Sequence, residues 1–431
     1  MRHWKALVVS GLAVLSVQVV PAAAGTVAQA RQAQAADQKI IDRTFETTDS
    51  GKSLPPTGKQ YYPVNMSNFA PKRPGTVTPD KPAPVLPGVP AGPEQSFIQQ
   101  CEDPNNAQVQ TSAGWTVNHY RWCKGVIENW VREVQNPDGT VQDVGHLTMR
   151  VVWVGYADSA NRRFVIWAIA DQLQILFGDQ FFHDNDVFLI GMVCAPDAGA
   201  AASCTNQQTP QDGPTLAQIR DSGPVTIKTE VTDTSVQNFP LAGDKTASFN
   251  LASSWEAHDG TGNGGANSLG GPIASRCDSS PGFRTPSACI FNNVSPFLVY
   301  DMSDTAFPIT DVGNHIRNAQ DSLGAPGKFA NGAPVGPPLT RLRDATKKRA
   351  NYRASKAICD TMQTATPPRT LQCDEYPFQS TYQGTATSPN TPHSAQLLSA
   401  VQNREAGTQL GNYYAWDRIL DGDQFWVEVI N

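Results

Sequence analysis

The chain has 431 residues, 39% of them hydrophobic and 17% charged, a length for two or three domains with enough apolar content for folded cores. A formal net charge of −6 excludes a general electrostatic embrace of nucleic acid, so any basic surface must be local. After the N-terminus no stretch is apolar and long enough to cross a bilayer as a helix, and a mature chain without a transmembrane anchor is expected.

Arg2, His3 and Lys5 precede the apolar run "ALVVSGLAVLSVQVV" and then "PAAAG". This is the three-part layout of a secretory signal peptide over residues 1–24, so the protein is expected to be secreted and extracellular. Residues 25–94 read as a linker. Its first part, to about residue 50, is Ala/Gln-rich and reads as a loose helix, and eleven prolines lie between Pro55 and Pro93, which suits an extended spacer.

Residues 95–270 read as a mostly β, sandwich-like domain. "HLTMRVVWVGYADSANRRFVIWAIADQLQILFG" holds two apolar runs split by "ADSANRR", the pattern of a long hairpin. "PVTIKTEVTDTSVQNFPLAGDKTASFNLASSW" alternates β-branched and polar residues, and "HDGTGNGGANSLGGP" reads as a loop. "HDND" at 183–186 reads as a turn, since it lacks the further ligands of a calcium loop. Eight cysteines fall as close pairs, Cys101 with Cys123, Cys194 with Cys204, Cys277 with Cys289, and Cys359 with Cys373. An even number in an exported chain suggests disulfides, although sequence does not fix their connectivity. No Cys/His spacing suits a zinc finger.

Residues 271–431 change in character. "NHIRNAQDSLG" reads as a short helix and "TRLRDATKKRANYRASKAICDTM" as a longer one. From Lys328 to Arg369 nine basic residues stand against two acidic ones, a basic patch within an acidic chain. "QCDEYPFQST" places Asp374 and Glu375 after Cys373. "SAVQNREAGTQLGNYY" puts Asn403 and Arg404 near the start of a helix in which Gly407 allows close packing. "RILDGDQFWVEVIN" enters a strand through an Asp-Gly turn.

Phosphodiester hydrolysis needs charge neutralised on phosphate oxygens and a base for the attacking water. A hard divalent cation prefers carboxylate and amide oxygens, and Asp374 or Glu375 together with Asn403 offers that set. The other carboxylate then accepts the proton. Arg404, or a basic residue of the 341–356 helix such as Arg349 or Arg353, would hold phosphate.

"CDEYPFQSTYQG", "NREAG" and the final "LDGDQFWV" resemble, in order and up to the chain end, the NucA/NucB deoxyribonuclease family, over about residues 277–431. The resemblance implies an α+β C-terminal domain of the ββα-metal type that cuts DNA with Mg²⁺ or Mn²⁺. On these residues Asp374 becomes the metal ligand with Asn403, and Glu375 the base where related nucleases use a histidine; the two acidic roles could be exchanged. Arg404 becomes a phosphate contact, His315 matches the family's His-Ile pair, and His393 lies in a loop expected near the site and able to touch substrate. The expected function is a secreted metal-dependent endonuclease with little sequence preference, DNA being its partner, and a protein inhibitor or surface partner is open to residues 95–270. The competing readings are a secreted non-catalytic binding or structural protein with a nuclease-like domain, and a secreted nuclease toxin.

Overall fold

The computed structural model describes residues 39–66, 86–197, 203–209, 212–235, 245–261, 265–362 and 370–431. The signal-like residues 1–24 and the prolines between 67 and 85 lie outside that set. The described chain is a mostly β, α+β protein.

Its first part contains β1 (Lys39–Thr47), β2 (Gln60–Asn65), α1 (Gln95–Glu102), β3 (Trp115–Asn118), β4 (Arg121–Gln135), β5 (Val141–Ala157) and β6 (Arg163–Phe177). After these come β7 (Val187–Pro196), β8 (Cys204–Thr209), α2 (Leu216–Ser222), β9 (Val225–Asp233), β10 (Lys245–His258), β11 (Gly265–Leu269), β12 (Ile273–Ser279) and β13 (Ser287–Phe291). A seven-stranded sheet runs in the order β1-β4-β5-β6-β9-β8, with β3 on β4. A five-stranded sheet runs β11-β10-β12-β13, with β7 on β10.

The two sheets close on a shared core in which Trp130 meets Phe188 and Phe188 meets Trp255, with ring centroids 5.9 and 5.7 Å apart. β5 and β6 form the long hairpin expected from residues 146–178. Leu147, Met149, Val151 and Trp153 turn to the shared core, while Val152, Val154 and Tyr156 pack under α1. A strand covered on both faces reads as a continuous apolar run rather than an alternating one. All four close cysteine pairs are disulfides: Cys101–Cys123, Cys194–Cys204, Cys277–Cys289 and Cys359–Cys373.

The remainder comprises β14 (Val294–Asp301), α3 (Thr310–Ser322), β15 (Lys328–Ala330), β16 (Ala333–Val335), β17 (Leu339–Thr340) and α4 (Ala345–Thr361). The chain then forms β18 (Leu371–Tyr376), β19 (Ser394–Ser399), α5 (Ala400–Trp416) and β20 (Gln424–Ile430). A sheet in the order β16-β15-β20-β14-β2, with β17 on β20, carries α3 and α5 over Leu298, Tyr300, Phe425 and Val427. β18 and β19 form a separate antiparallel pair.

Four features differ from the sequence reading. Lys39–Thr47, read as part of a loose helix, is a strand paired residue for residue with β4. Gln60–Asn65, inside the proline-bearing stretch, pairs in parallel with β14, because Pro63 interrupts only one ladder position. The sandwich core extends to Phe291 rather than ending near 270, since Ile273, Cys277, Cys289 and Ile290 all belong to it. In addition, the Gly-rich 258–272 stretch includes β11.

A buried polar network joins the two cores at the α5–β20 connection. Arg418, at a left-handed φ of 57°, donates to Asp278 at 2.6 and 3.0 Å and to the Pro286 carbonyl at 3.0 Å. Arg276 grips both carboxylate oxygens of Asp423 at 2.8 Å and reaches the Arg418 carbonyl at 2.9 Å. Asp417, whose carboxyl burial pushes well above its usual range, accepts from Tyr62. Burial brings His119 down to about 4, and its Nδ1 lies 2.8 Å from the Asp417 carbonyl.

Removing one partner of such a pair strands the other charge. Arg418→Met, leaving Asp278 buried and unpaired, is expected to cost about 3–5 kcal/mol in chemical denaturation, and an unchanged midpoint would refute the network's role.

Candidate active site

β18, β19 and α5 follow one another as strand, antiparallel strand and helix, with Asp374 opposite Gln396 and Glu375 opposite Ala395. Three fixings hold this unit. The Cys359–Cys373 disulfide ties the end of α4 to β18, one residue before Asp374. Asn403, in the first turns of α5, donates through Nδ2 to the Cys373 carbonyl at 3.0 Å. Tyr376 is fully buried, donating to the Pro326 carbonyl and accepting from Gln320 Nε2, both at 2.8 Å. The aromatic-proline step after the acidic pair is thus an anchor in the core.

Asp374, Glu375 and Asn403 line one cavity of about 340 Å³, together with Arg341, Lys348 and Tyr414. Asp374 is buried, and its Oδ2 accepts from His315 Nδ1 at 2.6 Å. The other ring nitrogen, Nε2, meets the Ser394 hydroxyl at 2.9 Å. The Asp374–His315–Ser394 chain has the connectivity of a hydrolase triad, but the imidazole is only 1% exposed. It serves as a brace that fixes which Asp374 oxygen remains free for the cavity.

Burial, and then the charge of Asp374, pushes Glu375 up to about 8. Its one hydrogen bond in the described structure is a long one, from the Gln379 N–H at 3.4 Å. A pair of crowded, desolvated carboxylates is an environment that a cation relieves. The donors available also suit a hard divalent ion: carboxylate oxygens beside an amide whose nitrogen is already engaged, leaving its oxygen as donor.

The opposite wall is basic. The Arg341 guanidinium stacks on Tyr414 at 3.4 Å from the ring centroid, and its buried Nε has no hydrogen-bond partner. Burial pulls both Arg341 and Lys348 below their usual ranges, and the neighbouring guanidinium groups of Arg341 and Arg343 add to the shift at Lys348. Desolvated cations with donors to spare are built to receive an anion.

The structure brings Asp374, Glu375, Asn403 and His315 together. Arg404, Arg349 and Arg353 are exposed and do not line the cavity. His393 is half-buried in the loop just before Ser394, with Nδ1 2.9 Å from the Thr391 carbonyl. Gly407 makes no close packing contact: a Cβ there would meet nothing within 4 Å, and the same holds for Gly411. Both glycines leave the α5 wall of the cavity bare.

Sequence reasoning counted Arg341 and Lys348 in the basic 341–356 run without singling them out, and missed Asn351. Asn351 is fully buried on α4, donates to the carbonyls of Gln379 and Thr381, and accepts from the N–H groups of Ala386 and Thr387. It holds the loop that follows the acidic pair. The spacing Asn351, Ser355, Cys359 marks the inward face of α4, and Lys348 lies one turn earlier on that face, whereas Arg349 and Arg353 do not.

The architecture is an α+β unit behind a β-rich region, with an acidic pair and an amide in one cavity with half-buried cations. Residues 337–428 match the family described as Deoxyribonuclease NucA/NucB. The match covers α4, the β18–β19 pair, α5 and most of β20, and so includes every cavity residue discussed above; His315, which braces Asp374 from outside the cavity lining, precedes it. No curated protein and no solved structure matches the chain.

The raised Glu375 value fixes the sign of a pH effect. Between its ordinary 4.5 and about 8 the folded protein keeps a proton that the unfolded chain has released. The associated stability is therefore complete below pH 4.5 and lost as pH rises through about 8. In EDTA, thermal melts from pH 4.5 to 8.5 should show the wild type losing stability relative to Glu375→Gln, and parallel curves would contradict the assignment.

Proposed function

We propose that this protein is a secreted endonuclease that hydrolyses DNA phosphodiester bonds with little sequence preference and depends on Mg²⁺ or Mn²⁺. The observation that carries the reading is the convergence of Asp374, Glu375 and Asn403 on one cavity, inside the stretch that matches the NucA/NucB deoxyribonuclease family. The strand–strand–helix order of the unit supports the ββα-metal type. The four disulfides and the N-terminal charge and apolar pattern support export.

Asp374, through the oxygen not used by His315, and the Asn403 amide oxygen are the residues that would hold the ion. When bound, a divalent cation neutralises charge on the phosphate and the leaving oxygen. Glu375, with an affinity for protons close to the working pH, takes the proton of the attacking water. His315 acts through Asp374 and is a positioning residue. Arg341 and Lys348 hold a phosphate of the strand inside the cavity. The exposed Arg349, Arg353 and Arg404 lie outside it, where they draw the duplex in, and His393 borders the same loop. The β-rich region is free to meet an inhibitor or a surface.

Plasmid nicking tests this reading. Cleavage is expected with Mg²⁺ or Mn²⁺ and not with EDTA, and Asp374→Asn or Glu375→Gln should each lower the rate by about 10²–10⁴-fold. Rates equal to wild type in both variants would sink it. Arg341→Ala should weaken DNA binding uniformly across sequences and reduce the salt slope by about 1; a variant with wild-type affinity and slope would remove Arg341 from the phosphate contact.

A further inference from the structure

We propose that the β-rich region carries a divalent transition-metal site of its own, formed by His183, Asp186 and Asp259. The "HDND" segment does form the expected turn, with the Asp186 N–H bonded to the His183 carbonyl at 2.9 Å. What the sequence could not supply is Asp259, which the fold brings from the far end of β10. One ligand atom of each residue lies within 4.8 Å of the others.

His183 Nδ1 stands 3.5 Å from Asp186 Oδ1 and 4.0 Å from Asp259 Oδ1. Both separations are too long for hydrogen bonds, and this ring nitrogen is buried with no partner. Bonds of about 2.0–2.2 Å to one shared ion would place ligand atoms roughly 3.3–3.6 Å apart in a tetrahedral arrangement. The 3.5 Å separation falls in that range and the 4.0 Å one lies above it, so the three residues flank a gap that a small closing movement would fit to an ion. The carboxylates are already oriented by the protein. Asp186 accepts from the N–H groups of Gly260 and His183, both at 2.9 Å, and Asp259 accepts from the Thr261 N–H at 2.6 Å.

Charge supplies a second, independent observation. The side chains of Asp42 and Asp186 are 0% exposed and that of Asp259 is 2% exposed. Arg132 is paired with Asp259 and lies 3.4 Å from Asp42, whereas the ion pair of Asp186 is with His183. Neither Asp42 oxygen has a hydrogen bond, although the charges of both Asp186 and Asp259 reach it. Three enclosed carboxylates with one guanidinium, which reaches only Asp42 and Asp259, leave negative charge uncompensated, which is costly away from water.

One imidazole nitrogen with two carboxylates suits Zn²⁺ or a similar first-row ion. Calcium would need six to eight oxygens, and the carbonyls of His183, Asp184 and Asp186 are engaged by backbone N–H groups. An ion here would tie the turn before β7 to the turn after β10.

Zn²⁺ is the probe, titrated calorimetrically into the full chain carrying Asp374→Asn, so that the acidic pair of the cavity does not contribute. One Zn²⁺ per chain is expected, with a rise in the thermal midpoint. Adding His183→Ala, at a side chain that is 41% exposed and tolerant of truncation, should weaken Zn²⁺ binding at least about tenfold and remove the thermal gain. Equal Zn²⁺ affinity with and without His183, no Zn²⁺ bound, or saturation by Ca²⁺ alone would overturn the proposal. Because the readout is binding in a background lacking Asp374, the result is independent of whether the chain cuts DNA.

Discussion

Two neighbouring carboxylates taken out of water repel each other, and the C-terminal part of this protein is arranged around keeping Asp374 and Glu375 where they do so. In a regular strand successive side chains point to opposite faces; here both reach the same cavity, at the end of the strand where Tyr376 and Phe378 enter the core. Burial first, and then this unfavourable proximity, push Glu375 upward. Around the pair lie a disulfide on one side, an amide from α5 on another, and the His315 brace behind. Each of these fixings comes from a different element, so the pair is over-determined. Local strain of this kind persists only when the surroundings enforce it.

The β-rich region takes part in that enforcement. The connection between α5 and β20 runs through the sandwich's own polar network, where Arg418 and Asp423 find Asp278 and Arg276. α5 supplies Asn403 and Tyr414 to the cavity. Its C-terminal end is held by Tyr120, which donates to the Trp416 carbonyl at 2.8 Å, while Asp417 accepts from Tyr62. β2, from the far N-terminal stretch, completes one edge of the sheet beneath the helices. The two cores therefore share a buried seam and do not hang on a tether.

Which parts of this were legible follows from the range of the interactions concerned. α3 and α5 announce themselves through local periodicity, and the acidic pair through contiguous residue types. Lys39–Thr47 did not, because a strand is defined by its partner, and β4 lies about ninety residues on. The limit of the sandwich was misplaced because Cys277 and Cys289 face each other across a hairpin that belongs to the earlier core. The inward face of α4 is polar, built from Asn351 and Ser355 as well as Cys359, so a search for apolar spacing passes over it. For that reason the charge run could be counted but not oriented. The exposed arginines drew attention, while Arg341 and Lys348 carried the cavity wall. His315 could be placed on a helix, but its partner is Asp374, 59 residues away.

The orientation of those cations changes how the cavity works. Along α5, Asn403, Gly407, Gly411 and Tyr414 follow the same side at helical spacing, spanning about 16 Å of helix axis. The acidic pair sits at the Asn403 end and the stacked Arg341 at the Tyr414 end. Between them the two glycines offer no side chain. A bare helical wall flanked by a carboxylate cluster and a half-buried guanidinium suits an extended, charged chain lying along it better than a compact ligand enclosed on all sides. On the proposed function, Arg341 would grip a phosphate flanking the one at the cation site. Because both cations are desolvated, each gains more from meeting an anion than the solvated arginines outside can. On the proposed function, the exterior charges would set how readily a strand arrives, and the interior ones where it rests.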